Sequence, residues 1–118
     1  MLTLEPTQLF KSLSDKTRLR CLSLIVQHGE LCVCELTYAL ALPQPKISHH
    51  LANLRKTGLV SDIKNGLWIY YKLHPELPAW VTEMLILSID AIKNTTPFST
   101  DTVNLLQMPD RPENLCSA

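Results

Sequence analysis

The fold is decided by residues 33–73, which read VCELTYALALPQPKISHHLANLRKTGLVSDIKNGLWIYYKL. Apolar residues recur at helical spacing in two segments of this stretch, the first starting near Val33 and the second extending to Lys56. The turn between the two predicted helices lies at residues 41–43, and Gly58 ends the second helix. The buried face of the second helix is expected to comprise Ile47, Leu51 and Leu54. Two short helices joined by a tight turn predict a helix-turn-helix.

Beyond Gly58 the pattern changes from helical spacing to strict alternation, which is typical of strands. Leu59–Lys64 and Leu67–Leu73 are predicted strands joined by Asn65-Gly66. That dipeptide favours a two-residue hairpin because a type I′ turn needs positive φ at both central positions. A hairpin directly after a helix-turn-helix predicts the wing of a winged helix-turn-helix.

Helices are also predicted on both sides of this stretch. Two precede it, at Thr7–Leu13 and from about Lys16 to Gln27. One follows, from about Ala79 to Lys93, and apolar residues lie on all of its faces. We therefore expect one face to be buried against a partner subunit. Residues 95–118 have no periodicity and several prolines, so we expect a flexible C-terminal tail after a single domain of residues 1–94. The predicted fold is mainly α with a β-hairpin wing (α+β), in the order ααααββα, as a homodimer.

Composition and charge narrow the class of protein. The chain has 118 residues, of which 46% are hydrophobic, so it can bury the core of one domain. It has no apolar run long enough for a membrane span and no signal-peptide pattern at its start, so we expect a cytoplasmic protein. The net charge is zero, but residues 1–72 hold nine Lys and Arg against five Asp and Glu, and residues 73–118 hold two against six. Basic residues are therefore concentrated in the first part of the chain, and the neutral total hides a local positive field.

The second helix of the helix-turn-helix carries a polar face that fits double-stranded DNA. Such a helix lies in the major groove, with its N-terminal side chains at the base edges. We expect base contacts from Gln44, Lys46, Ser48 and His49, phosphate contacts from Arg55 and Lys56, and a further DNA contact from Asn53 on the same polar stripe. Lys64, beside the hairpin turn, is expected to bring the wing to the DNA backbone or minor groove. The alternative is an ordinary solvated helix face. His50 points partly inward and is interpreted as a hydrogen-bonded structural histidine.

Two cysteines at the predicted start of the first helix of the motif suggest a binding site. Cys32 and Cys34 are soft ligands, and close cysteine pairs in the cytoplasm more often bind metals or act in redox chemistry than form disulfides. In extended chain both side chains point the same way, whereas in an ideal α-helix they would diverge by about 200°. We therefore expect that an ion held by both sulfurs pulls on the first turn of this helix. The helix N-terminus is expected to lower the thiol pKa.

These segments together resemble the ArsR/SmtB family, and in particular its arsenic-responsive repressors. The resemblance rests on Glu30–Leu36 (ELCVCEL), Gln44–Leu51 (QPKISHHL), Leu54–Val60 (LRKTGLV) and Gly66–Leu73 (GLWIYYKL), and it covers roughly residues 7–94. It implies repression of an arsenic-resistance operon and release from operator DNA when arsenite or antimonite, As(III) or Sb(III), binds. It also implies a dimer held by the first and last helices. The interface residues expected on these helices are Leu9, Phe10, Trp80, Met84 and Leu87.

The chain departs from the family pattern at three places. The most similar arsenic sensors often have a third cysteine where this chain has Thr37, and trivalent arsenic prefers three sulfurs. The third donor is therefore open between Cys116, Cys21, a small cellular thiol and water. An arginine is common where this chain has His49, so the operator sequence does not carry over. Zinc-sensing relatives use histidines of the last helix, but residues 79–94 contain none.

Two other functions fit some of the same residues. A repressor could sense oxidants or a soft divalent metal such as cadmium or lead through the same thiols. A thiol oxidoreductase would need an acid–base partner and a substrate cleft, and only His28 is near the cysteines in sequence. We therefore expect no enzyme activity and no organic cofactor.

Overall fold

The computed structural model of the chain describes residues 4–111. The elements run along the chain as α1 (Pro6–Leu13), α2 (Lys16–His28), β1 (Glu30–Cys32), α3 (Val33–Leu40), α4 (Gln44–Thr57), β2 (Val60–Asn65), β3 (Trp68–Leu73), α5 (Ala79–Ile92) and α6 (Phe98–Leu106). The winged helix-turn-helix predicted from the sequence is confirmed, with α3 and α4 as the helix-turn-helix and β2–β3 as the wing.

Local sequence explains where the helices begin and end. The carboxylate of Asp15 caps α2 by accepting a hydrogen bond from the backbone N–H of Arg18 at 2.9 Å. Gly58 ends α4 in the left-handed conformation, at φ 94°, where a side chain would be strained. Ala41 ends α3 in the same conformation, at φ 56°, and thereby makes the tight turn into α4.

The core is built around α2 and the inner face of α4. Leu22, Leu24 and Ile25 of α2 are fully or almost fully buried. The buried face predicted for α4, formed by Ile47, Leu51 and Leu54, is confirmed because all three side chains are 0% exposed. The exposed face of α4 is therefore fixed by the packing of its other side.

The sheet has one strand more than the sequence predicted. Its order is β1-β3-β2 and all pairs are antiparallel, with Cys32 opposite Tyr70 and Asn65 opposite Trp68. β1 is too short to show a strand pattern, and it forms by pairing with β3. The predicted hairpin turn is wrong by one residue. Gly66 and Leu67 are the two loop residues, and Gly66 alone of the two has positive φ, at 65°.

The sequence predicted no element after Lys93, but α6 lies there and packs on α2 and α3. Two of its side chains, Asp101 and Leu105, are buried. Polar residues of weak helix propensity fill much of α6, so contacts with the rest of the chain stabilise it. The expectation of an unstructured tail is wrong for residues 98–106. Within residues 4–111, no helix is long and apolar enough to cross a membrane.

Candidate DNA interface and thiol site

The N-terminal half of α4 presents the side chains predicted to contact bases. Gln44, Lys46 and His49 are exposed, and Ser48 is half-buried. The amide nitrogen of Gln44 donates a hydrogen bond to the hydroxyl of Ser48 at 2.7 Å, so these two side chains restrain each other one turn apart. The face has donors and acceptors of both kinds, as base edges in the major groove require.

In the second half of α4, some of the predicted DNA-binding side chains contact other parts of the chain, and others are exposed. The side-chain oxygen of Asn53 accepts a hydrogen bond from the hydroxyl of Ser12 in α1 at 2.7 Å, which ties this predicted DNA residue to the first helix. Arg55 pairs with Asp62 of the wing at 3.3 Å, and both side chains are more than a third exposed. Lys56 and Lys64 are exposed. These two lysines, on α4 and on β2, stay predicted phosphate contacts, whereas the pairing with Asp62 occupies Arg55 within the chain.

His50 is a structural residue, as the sequence indicated. Its side chain is 12% exposed, and its Nδ1 atom lies 3.3 Å from Arg18 Nη1 and 3.8 Å from a carboxylate oxygen of Asp15. Burial lowers the pKa of His50, and Asp15 acts in the opposite direction. A neutral ring can accept the hydrogen bond from Arg18, so His50 ties the start of α2 to α4.

The two predicted metal ligands come together at the junction of β1 and α3. Cys32 has extended backbone, at φ −86° and ψ 165°, and is the N-cap of α3, while Cys34 lies at the second helical position. Because Cys32 is outside the helix, the divergence expected inside one does not apply, and the Cys34 side chain is close enough to Cys32 to affect its pKa. Cys32 is 1% exposed and Cys34 is half-buried.

The thiol pKa of Cys32 differs from the sequence-based expectation because the side chain is buried. The pKa of Cys32 is raised, mainly because burial disfavours the thiolate, and the neighbouring Cys34 thiol acts in the same direction. The backbone N–H of Glu35 in the first turn of α3 lowers this pKa, as a helix N-terminus should, but by less. The prediction of a lowered thiol pKa is therefore wrong for Cys32.

A cavity of about 380 Å³ joins the thiols to both DNA-facing elements. Cys32, Cys34 and Gln44 line it, and so do the wing residues Leu67 and Trp68. Leu67 is 96% exposed at the tip of the hairpin, and its part in this cavity had no signal in the sequence. The thiols, the start of α4 and the wing therefore border one shared cavity.

Glu35, which the sequence pattern did not single out, holds the thiol site in place. Its side chain is 0% exposed. One carboxylate oxygen accepts a hydrogen bond from the backbone N–H of Cys32 at 2.9 Å, and the other accepts one from Arg111 Nε at 2.7 Å. The spacing Cys32-x-x-Glu35 is that of a capping box, with cysteine in place of the usual serine or threonine, and could have drawn attention to it.

The described residues offer no third protein ligand. Within residues 4–111, no three His, Cys, Asp or Glu side chains are grouped so that they could hold a metal ion. Cys21 is 0% exposed in the core, and burial raises its pKa to about 12, which fits a small apolar residue better than a ligand. Cys116 lies outside the described residues.

The predicted dimer residues need one correction. Leu9 is 0% exposed because it packs into the core of its own subunit, so it has no surface to offer a partner. Phe10, Trp80 and Leu87 are 52%, 49% and 74% exposed, and Met84 is half-buried against the core. Apart from Leu9, these residues stay predicted interface contacts.

A helix-turn-helix with an exposed polar face on its second helix, followed by a basic wing, defines a winged-helix DNA-binding protein. Comparison with known proteins makes the class specific. The family model described as "Bacterial regulatory protein, arsR family" matches residues 15–62. The chain belongs to this arsR family and is a DNA-binding transcriptional regulator.

Its relatives span most of its length. "Arsenic resistance transcriptional regulator ArsR1" of Pseudomonas putida is 51% identical over 94% of this chain and 85% of its own. "Arsenical resistance operon repressor" of Escherichia coli is 52% identical over 68% of each chain. Among solved structures, HlyU from Vibrio cholerae superimposes with a TM-score of 0.66 at 32% identity, over 74% of this chain and 90% of its own. The antimony-specific transcriptional repressor AntR does so with a TM-score of 0.59 at 30% identity, over 72% of this chain and 74% of its own.

Proposed function

We propose that the protein is a homodimeric repressor that leaves its operator when As(III) or Sb(III) binds Cys32 and Cys34, and so derepresses an arsenic-resistance operon. The observation that carries this proposal is the convergence of the two thiols on a cavity also lined by the start of α4 and the wing. The names of the arsenic-resistance relatives and of AntR support a trivalent metalloid as the effector.

DNA binding rests on α4 and the wing. Gln44, Lys46, Ser48 and His49 form the base-reading face, and Lys56 and Lys64 bind phosphates. Arg55 and Asn53 contribute mainly by fixing the wing and α1 against α4. The exposed apolar residues Phe10, Trp80 and Leu87 support a dimer, and two copies of α4 would then address two half-sites of an operator.

The chemistry of the thiol site suits a thiophilic ion. Cysteine sulfurs are soft donors, and each As–S bond forms as a thiol S–H bond and an As–OH bond break, with the proton and the hydroxide leaving together as water. Cys34 is the more accessible thiol and would react first, and Cys32, which lines the same cavity, would follow. The third donor stays open between Cys116, water and a small thiol, since Cys21 is in the core.

The same geometry suggests how binding weakens DNA affinity. Cys32 pairs with Tyr70 of β3 in the sheet, and α3 packs on α4. A shift at the start of α3 would therefore be transmitted to the wing through the sheet and to the recognition helix through its packing. About 3 kcal/mol of coupling between the two sites would weaken operator binding ~150-fold, which is enough for derepression.

The test is fluorescence anisotropy of the reduced protein on labelled DNA from its own upstream region, at fixed salt. Arsenite, antimonite, zinc and cadmium are titrated separately. We expect release by arsenite or antimonite at low micromolar concentration, with zinc inactive. If the protein binds the DNA but neither arsenite nor antimonite releases it, the proposed effector is wrong. Release by cadmium alone would assign the site to soft divalent metals.

A further inference from the structure

The C-terminal segment beyond α5 is attached to both ends of α3, the helix that begins at the thiol site. At the far end, Asn104 donates a hydrogen bond to the backbone oxygen of Ala39 at 3.0 Å. Arg20, which pairs with Asp101 of α6 at 2.8 Å, donates one to the backbone oxygen of Leu40 at 3.2 Å.

At the near end, Arg111 reaches the buried carboxylate of Glu35. The pair is short, at 2.7 Å, and its side chains are 14% and 0% exposed. A fully buried carboxylate is costly unless charged and polar partners surround it. Arg111 supplies the charge, and the second carboxylate oxygen is thereby held against the backbone N–H of Cys32.

We propose that Arg111 is a positioning residue for the thiol pair: through Glu35 it fixes the backbone of Cys32 at the N-cap of α3 and so sets the affinity for the effector. This inference rests on the proposed function. Without the charge of Arg111, the Glu35 carboxylate is solvated better by water than in the core, so it turns toward the solvent. Cys32 then loses the hydrogen bond that fixes it outside the helix. The two sulfurs then converge only part of the time, and an ion that needs both binds more weakly.

The test compares Arg111→Gln with Lys93→Gln in the full chain. Lys93 forms an exposed ion pair with Asp90, at 2.9 Å with side chains 40% and 67% exposed, and serves as the matched loss of one cation. Arsenite affinity of the DNA-free protein and operator affinity without arsenite are measured for each. We expect Arg111→Gln to weaken arsenite binding about tenfold and operator binding less than threefold, and Lys93→Gln to change neither.

Two further variants separate positioning from general destabilisation. Val81→Ala removes buried volume from α5, remote in sequence from the thiols, and should lower the melting temperature while arsenite affinity stays unchanged. In the background of Glu35→Gln, Arg111→Gln should weaken arsenite binding by much less than tenfold, because the two residues act through one contact. If the effects of Glu35→Gln and Arg111→Gln on arsenite affinity are additive, the proposal is overturned.

Amide hydrogen exchange at Cys32 gives a readout that needs no effector. It should be faster in Arg111→Gln than in the wild type, and unchanged in Lys93→Gln. If the wild type fails to bind arsenite, the proposed function falls, and this exchange rate alone decides whether Arg111 positions Cys32. An unchanged rate, or an arsenite affinity in Arg111→Gln equal to that of the wild type, overturns the inference.

Discussion

Replacing Asp101 by asparagine tests whether α6 is part of the cooperative fold. Asp101 is 1% exposed and accepts hydrogen bonds from Arg20 Nε and Nη2, both at 2.8 Å. The pairing holds the pKa of Arg20 above its usual value. Asparagine keeps the volume of the side chain and one acceptor oxygen, but it removes the charge and places an NH2 group against the guanidinium.

The expected cost follows from the burial of the pair. Removing one partner of a buried ion pair costs about 3–5 kcal/mol, because the other charge is left without compensation. The Arg20 side chain keeps 17% exposure and can take up some water, so we expect the lower end, about 3 kcal/mol. For a domain of this size the loss corresponds to a fall in Tm of roughly 12 °C.

The assay is urea unfolding followed by circular dichroism, with protein concentration held fixed because the stability of a dimer depends on it. Asp90→Asn is the matched control, since Asp90 forms an exposed ion pair with Lys93 and its loss should cost under about 0.5 kcal/mol. A loss below about 1 kcal/mol in Asp101→Asn would refute the reasoning, because α6 would then not unfold together with the core.

Three further predictions concern DNA binding, pH and thiol reactivity. Lys46→Ala should cost about 1–3 kcal/mol of specific operator affinity. Lys64→Ala should weaken binding to all DNA sequences alike and reduce the slope of log affinity against log salt concentration by about one. Both effects are measured by fluorescence anisotropy. Burial lowers the pKa of His50, so the unfolded chain binds its proton more readily, and the free energy of unfolding should fall as pH drops through the unfolded value of about 6.5. His50→Gln should flatten this fall in urea titrations between pH 7.5 and 5.5, and an equal slope in both proteins would contradict the assignment. N-ethylmaleimide should modify Cys34 before Cys32, because Cys32 is buried and its pKa is raised. Mass spectrometry identifies the modified cysteine, and the reverse order would contradict this difference in reactivity.

The parts of the fold with strong local patterns could be predicted from the sequence. α4 has a clean apolar stripe and a glycine at its end, and the wing has two alternating strands. The positions of Cys32 and Cys34 at the start of α3 and the inward side of His50 also follow from spacing alone. In each case neighbouring residues in the chain determine the structure.

The parts that depend on distant residues could not be predicted. β1 exists because β3 pairs with it, and α6 is stabilised by Arg20 and the core more than by its own sequence. Asn53 belongs to the polar stripe of α4, yet its partner Ser12 lies in α1. Burial of Cys32 outweighs the helix N-terminus in its effect on the pKa, and sequence spacing contains no measure of burial.

The central claim is that DNA release passes through the two thiols, and Cys34→Ser tests it most directly. The wild type and this variant are bound to the same labelled operator at equal occupancy and titrated with arsenite under reducing conditions. We predict unchanged operator affinity for Cys34→Ser without arsenite, and no release at concentrations that free the wild type completely. Release of the variant at the wild-type concentration would contradict the account, because the metalloid would then act at another site.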